Sequence, residues 1–338
     1  MALRDLANGS ALRDYANTMT RLVVTGKIPQ AGLDVIAAGG IVTQAWDGAV
    51  TATRAELLKM VVGADILVTL LTEKVDIELL DAAGPQLKAV CNVAVGFNNI
   101  DVAACTARQI RVTNTPGVLT EATADIAMAL ILMSTRRLAE GERVIRSQTS
   151  WQWGMHYMLG TGIQGRQLGI VGMGAIGAAT ARRARAFGMT IAYSGRSKAS
   201  DVLEQELSMR RLSQDELLAT SDVVSIHCPS NESTFHLFGA KQFESMKRSA
   251  FLINTARGPI VDEAALVVAL ESQQIAGAGL DVFENEPVVH QGLINRDDVV
   301  LIPHLGSATL ETRAAMATLA ANNAVCLAGG GEPLTPVN

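Results

Sequence analysis

The feature that most constrains this chain is a run of apolar residues that ends abruptly in three spaced glycines. Leu168-Gly169-Ile170-Val171 leads into Gly172-Met173-Gly174-Ala175-Ile176-Gly177, and a stretch rich in Ala and Arg follows to about Phe187. The first part reads as a buried strand and the last as a helix. Only a tight turn joins them, and glycine permits such a turn. This unit requires a parallel sheet, because a helix that follows a strand so closely must return to the sheet as a crossover.

The rest of the chain has the same rhythm. Short apolar runs at Leu22–Val24, 41–43, 66–70 and 89–92 alternate with helical stretches at 32–38, 54–62, 77–83 and 102–109. A second series begins at Gln167, with strands expected at 168–172, 190–193, 222–227, 250–254, 277–281 and 299–302. Strands alternating with helices predict an α/β protein with parallel sheets. A long helix is expected from Thr120 to about Ala139, with Glu121 and Asp125 near its start and Arg136 and Arg137 near its end, as the helix dipole favours. Its centre, IAMALILM, is apolar on every face and should be buried all round. A last helix is expected from Glu311 to about Leu327.

With 338 residues, two domains are expected. The first is expected over 1–118 with 307–338, and the second, which carries the glycine turn, over 119–306. If the second holds a dinucleotide, the first is left to meet a substrate. Residues 1–18 read as an extension. The chain is 49% hydrophobic, enough for large cores, yet only 4% aromatic, so Ala, Val, Leu, Ile and Met must fill them. Its net charge of −5 and lack of a basic run argue against nucleic acid as a partner. No apolar run approaches a membrane span, and residues 1–20 lack the apolar core of a secretory signal. The four cysteines, Cys91, Cys105, Cys228 and Cys326, are widely spaced, which fits reduced thiols in a cytoplasmic protein and no metal site.

The glycine turn carries a function. Gly172 allows the turn, Gly174 allows a pyrophosphate to approach the backbone, and Gly177 allows the helix to pack on the strand. The helix N-terminus, at Ala175 and Ile176, would face the phosphates. The next strand ends in Tyr193-Ser194-Gly195-Arg196-Ser197-Lys198. An acid at that end would bind a ribose 2′-hydroxyl and repel a 2′-phosphate. Ser194 stands there instead, with Arg196 and Lys198 following, so NADP(H) is expected over NAD(H). His227 and Pro229, after a later strand, are expected on the nucleotide side, as is Thr255.

Three further residues follow strands. Arg257 lies in NTARG, Glu286 in DVFENEP and His304 in IPHLGS. A guanidinium grips a carboxylate or polarises a carbonyl, and a carboxylate beside an imidazole fixes its tautomer and favours the cation. Such a histidine can protonate a carbonyl oxygen while a hydride reaches the carbon. Alone, each reads as well as a structural loop residue. Together, in this order, they point to reduction of a 2-keto acid.

These motifs, with VGFNNID (95–101), LTEATADIAMAL (119–130), GAGLDVFENEP (277–287) and PHLGSAT (303–309), resemble the D-isomer-specific 2-hydroxyacid dehydrogenases. HLFGAKQFESMK and GSATLETR are most similar to the NADPH-dependent glyoxylate/hydroxypyruvate reductases and their 2-ketogluconate reductase relatives. The resemblance implies two Rossmann-like or flavodoxin-like domains with the active site in the cleft between them. It implies Arg257 as substrate-orienting, Glu286 as support for the histidine and His304 as acid/base. It implies Val95 and Gly96 amides on the substrate carboxylate with Leu71 in the same pocket. It also implies Asp281 on the nicotinamide carboxamide, Thr123 and Ser307 beside the cofactor, and a homodimer. Two other readings stay open: an NAD-dependent dehydrogenase for D-lactate-like acids or phosphite, and a nucleotide-sensing protein of the corepressor kind.

Overall fold

The computed structural model describes residues 20–338, in two compact units: residues up to Leu119 together with Thr309–Asn338, and Thr120–Ala308. The expected extension over 1–18 lies outside the described residues. Both units are parallel α/β folds, as the alternation predicts.

The first unit holds five strands, β1 (Arg21–Val24), β2 (Val42–Ala45), β3 (Ile66–Thr69), β4 (Ala89–Asn92) and β5 (Arg111–Thr113), in the order β2-β1-β3-β4-β5. β3 and β4 are buried along their whole length, which is why they read as unbroken apolar runs. β2 is the edge strand and is exposed throughout. Its sequence, VTQA, is correspondingly mixed, and the strand sits one to two residues later than expected. Helix α1 (Gln30–Ala38) packs against the C-terminal helix (Leu310–Ala328) so closely that a Cβ on Gly32 would lie 2.9 Å from Ala317 Cβ and 3.0 Å from its carbonyl.

The second unit holds seven strands: β6 (Gln167–Val171), β7 (Thr190–Ser194), β8 (Arg210–Arg211), β9 (Val223–Ile226), β10 (Phe251–Asn254), β11 (Gly277–Leu280) and β12 (Val299–Leu301). Their order is β12-β11-β10-β9-β6-β7-β8. The chain reverses direction across the sheet between β6 and β9, and ligands of open α/β sheets lie at that switch point, beyond the strands' C-terminal ends.

The expected helix from Thr120 to Ala139 is two helices, Thr120–Thr135 and Leu138–Arg146. The break falls at Arg137, whose φ of 53° is left-handed. The first of the two is not enclosed on all sides either. Ala124, Ala127, Leu130 and Ile131 are buried, whereas Ile126, Leu132 and Met133 are only half-covered. Leu138–Arg146 buries no residue. Among the described residues no helix is long and apolar enough to cross a membrane.

The Gly32–Ala317 approach gives a test of packing in the first unit. Gly32→Val should destabilise it by about 2 kcal/mol, because the added carbons meet backbone that cannot yield. An unchanged urea midpoint would contradict that packing.

Candidate active site

Each glycine of the turn has its own steric reason. Gly172 has φ 99°, and a Cβ there would stand 2.5 Å from Cys228 N, on the chain leaving β9. A Cβ on Gly177 would meet Gly172 O at 2.5 Å. Gly174 is different, because nothing lies within 4 Å of where its Cβ would be. The backbone is therefore bare at the start of helix Ala175–Ala186, and Gly174 provides no side-chain cap for the first-turn N–H groups. A bare helix start facing open space fits a pyrophosphate. Thr255, at the end of β10, has a buried Oγ1 with no hydrogen-bond partner among the described residues, a hydroxyl that a bound group could meet.

Ser194 closes β7 beside Val171 of β6, and its carbonyl accepts from Gly172 N at 2.8 Å. Arg196 is exposed on the following loop. Lys198, assigned with it to a phosphate, is drawn to acids instead: its Nζ lies 2.6 Å from Asp201 and 3.3 Å from Glu204. A cation that sequence reading passed over supports this loop. Arg211, on the short edge strand β8, donates to the Gly195 and Arg196 carbonyls at 2.8 and 3.1 Å.

At the far side of the switch point His227 follows β9, its Nε2 2.8 Å from Ser225 Oγ. Burial pushes the imidazole down to about 4 and the Cys228 thiol up to about 11. His227 is therefore neutral near pH 7, and Cys228 is a thiol. Pro229, next along, is exposed.

The remaining candidates converge on the loops after β10, β11 and β12. His304 Nδ1 lies 2.8 Å from Glu286 Oε2, while Glu286 Oε1 accepts from Phe283 N at 3.0 Å. A carboxylate only accepts, so Nδ1 carries the proton and Nε2 is left to exchange one. Burial would raise the Glu286 carboxyl, yet the hydrogen bond and charge of His304, the Phe283 amide and Arg257 hold it below its usual range. Burial pulls the Arg257 guanidinium down from its ordinary value, against the opposing charge of Glu286. Arg257 Nη1 donates to Ala256 O at 2.7 Å. A Cβ on Gly258 would fall 1.8 Å from the Phe283 carbonyl, so the Arg257 and Glu286 loops touch backbone to backbone there.

Asp281 has no exposed surface. Its two oxygens accept from Leu305 N at 2.5 Å and Gly306 N at 2.8 Å, and its carbonyl accepts from His304 N at 2.8 Å. Burial raises its carboxyl, and those amides and His304 oppose the rise. Thr123 Oγ1 donates to Gly306 O at 3.1 Å from the other side, and half-buried Ser307 follows in the same loop. His304 itself has φ 52°, a conformation costly for a residue with a side chain.

Two supports escaped sequence reading. Asn254 clamps the Arg257 turn, accepting from Ala256 N and donating to Arg257 O, both at 3.0 Å. His236, which reads as a surface residue, is half-buried with Nε2 2.7 Å from Glu284 Oε1, and Glu284 N donates to buried Glu263 at 2.9 Å. Together they pin the chain two residues before Glu286. Val95, Gly96 and Leu71 belong to the first unit, on the loops after β4 and β3.

The depressed value of His227 sets a sign for pH dependence. Between the ordinary histidine value and about 4, the unfolded chain binds a proton that the folded chain does not, so stability falls as pH falls through that window. His227→Gln should flatten the drop in urea midpoint between pH 7 and pH 5. An equally steep drop in the variant would contradict the assignment.

Comparison with known proteins identifies the family. Residues 128–306 match the family described as "D-isomer specific 2-hydroxyacid dehydrogenase, NAD binding domain". A glyoxylate reductase of Thermococcus litoralis is 44% identical, over 94% of this chain and 96% of the relative. The crystal structure of a glyoxylate reductase from Paecilomyes thermophila is similar at a TM-score of 0.85 and 36% identity, over 94% of this chain and 98% of that one. An NADPH-dependent glyoxylate/hydroxypyruvate reductase from Sinorhizobium meliloti, solved with NADP and malonate, is similar at 0.81 and 35%, over 94% and 96%. With strand order, glycine turn and clustered Arg257, Glu286 and His304 all in place, the chain belongs to the D-isomer specific 2-hydroxyacid dehydrogenase family.

Proposed function

We propose that this protein reduces a small 2-keto acid to the D-2-hydroxy acid with NADPH. Glyoxylate is the first choice of substrate, and hydroxypyruvate and 2-ketogluconate are the next. The observation that carries the reading is the 2.8 Å pairing of His304 with Glu286 beside the charge of Arg257, at the end of the sheet that bears the glycine turn. The glyoxylate reductases among its relatives support the substrate class.

Bound NADPH supplies the hydride. Arg257 holds the carboxylate and polarises the keto oxygen. His304 Nε2 delivers a proton to that oxygen, and Glu286 stabilises the imidazolium that gives it up. The Thr120–Ala308 unit holds the cofactor through Gly172, Gly174, Ala175, Ile176, Gly177, Thr255, Thr123 and Ser307. Asp281 anchors the His304 loop, and its enclosure leaves the expected contact with the carboxamide without an open oxygen. The first unit supplies Val95, Gly96 and Leu71 to the substrate.

NADPH is favoured because Ser194 leaves room for a 2′-phosphate and Arg196 stands exposed beside it, braced by Arg211. The NADPH dependence of the Sinorhizobium meliloti relative supports the same choice. The capture of Lys198 by Asp201 and Glu204 favours NADH. A homodimer is supported by apolar side chains on one continuous segment. Ile145, Trp151, Trp153, Met155 and Leu159 are each at least half exposed, and such patches mark interfaces. Four free cysteines fit a cytoplasmic protein.

The reading is tested by oxidation of NADPH and NADH with glyoxylate, hydroxypyruvate, 2-ketogluconate and pyruvate. Turnover with NADPH and one of the first three is expected, and none with any pair would refute it. Arg257→Ala should lower kcat/KM by about a thousandfold or more, whereas Arg196→Ala should raise the KM for NADPH and leave kcat nearly intact. Equal losses in both would sink the assignment. Ser194→Asp combined with Arg196→Ala should shift preference towards NADH by at least about tenfold. Unchanged preference would place the 2′-phosphate site elsewhere.

A further inference from the structure

The loop after β4 presents a regular pattern of hydrogen bonds that the sequence does not announce. Three successive carbonyls are each held on one side. Ala94 O accepts from Thr115 N at 2.9 Å. Val95 O accepts from Asn114 Nδ2 at 2.8 Å, and Gly96 O accepts from Asn92 Nδ2 at 2.9 Å. A planar trans peptide points its carbonyl and its N–H in opposite directions. The N–H groups of Val95, Gly96 and Phe97 are therefore turned the other way. None of the three has a partner among the described residues. Val95 and Gly96 are half-buried and Phe97 is exposed. Consecutive backbone amides left without a protein partner can together meet an anion.

The two asparagines are themselves fixed. Asn92 is fully buried, and its Oδ1 accepts from Thr69 Oγ1 at 3.2 Å. The Asn114 backbone is held by Thr335, which donates through Oγ1 at 2.6 Å and accepts from Asn114 N at 3.3 Å. Neither side chain reaches outward. Each spends its amide on a loop carbonyl.

We propose that Asn114 and Asn92 are positioning residues for the substrate carboxylate. By gripping the Val95 and Gly96 carbonyls they aim the Gly96 and Phe97 N–H groups at it, so that Phe97 N joins Val95 N and Gly96 N as a third donor. This rests on the reading of the chain as a 2-keto acid reductase. It assigns affinity for the acid, and not the chemical step, to two side chains that never touch it.

The test uses the full chain. Asn114→Ala removes the grip, and Asn114→Asp replaces a donor with an oxygen that repels the Val95 carbonyl. Either should raise the KM for glyoxylate by about tenfold, the worth of one orienting hydrogen bond, with kcat and the KM for NADPH within about twofold of wild type. Unchanged KM in a folded variant overturns the proposal, and so does a loss shared equally by kcat and the KM for NADPH. A measurement on the wild type needs no variant: titration of 15N-labelled, NADP-saturated protein with oxalate should move the amide resonances of Val95, Gly96 and Phe97 together. Resonances that stay still while oxalate binds elsewhere, or no oxalate binding at all, overturn it. Movement of these amides in a protein that reduces none of the keto acids tested above would refute the function proposed there and leave the anion site standing.

Discussion

A carboxylate with no exposed surface must be satisfied from within, and Asp281 is satisfied almost wholly by the segment that carries His304. Two backbone amides close on its oxygens and a third on its carbonyl. An unpaired charge at this depth would cost several kcal/mol, so these bonds are obligatory for the fold. They also hold His304 at a left-handed φ that its side chain would not choose. Both the strain and the buried charge are costs, and the three amide hydrogen bonds offset them locally. The result is an imidazole aimed at Glu286 with Nε2 left for chemistry.

The same economy organises the nucleotide side. The strand order puts the ends of β6 and β9 next to each other, and Gly172 exists because Cys228 N leaves no room for a side chain there. Gly258 does the equivalent for the Arg257 and Glu286 loops, whose backbones touch. At these two places backbone contact, not side-chain contact, holds neighbouring loops in register. Side chains are left free for the roles proposed above: Arg257, Glu286 and His304 in the chemistry, Ser194 and Arg196 in the choice of nucleotide.

What could be read from the sequence follows from this physics. Buried parallel strands are unbroken apolar runs, so β3, β4, β9 and β10 were legible, and the glycine turn announced the site. The edge strands were not. β5 and β8 were missed and β2 was misplaced, because RVT, RR and VTQA carry no apolar signature. IAMALILM gave no sign that one side of the helix would be only half-covered. Arg137 gave no sign that it would break the helix. Polar supports were illegible for a different reason. Asn92, Asn114, Asn254 and Arg211 all act on backbone carbonyls, and a carbonyl has no letter in the sequence. The ion pairs of Lys198 also went unread, although its acidic partners lie on the next helix, only three and six residues away.

The central claim is that His304 delivers the proton while hydride reaches the keto carbon, and single-turnover transfer from NADPH deuterated at C4 tests it most directly. Wild-type protein should convert glyoxylate to glycolate bearing one deuterium on carbon. His304→Gln should slow that transfer by about 10²- to 10⁴-fold with the Kd for NADPH within about twofold, as expected for loss of a general acid. Transfer within tenfold of wild type, or a loss of rate matched by a loss of NADPH affinity, would contradict the account.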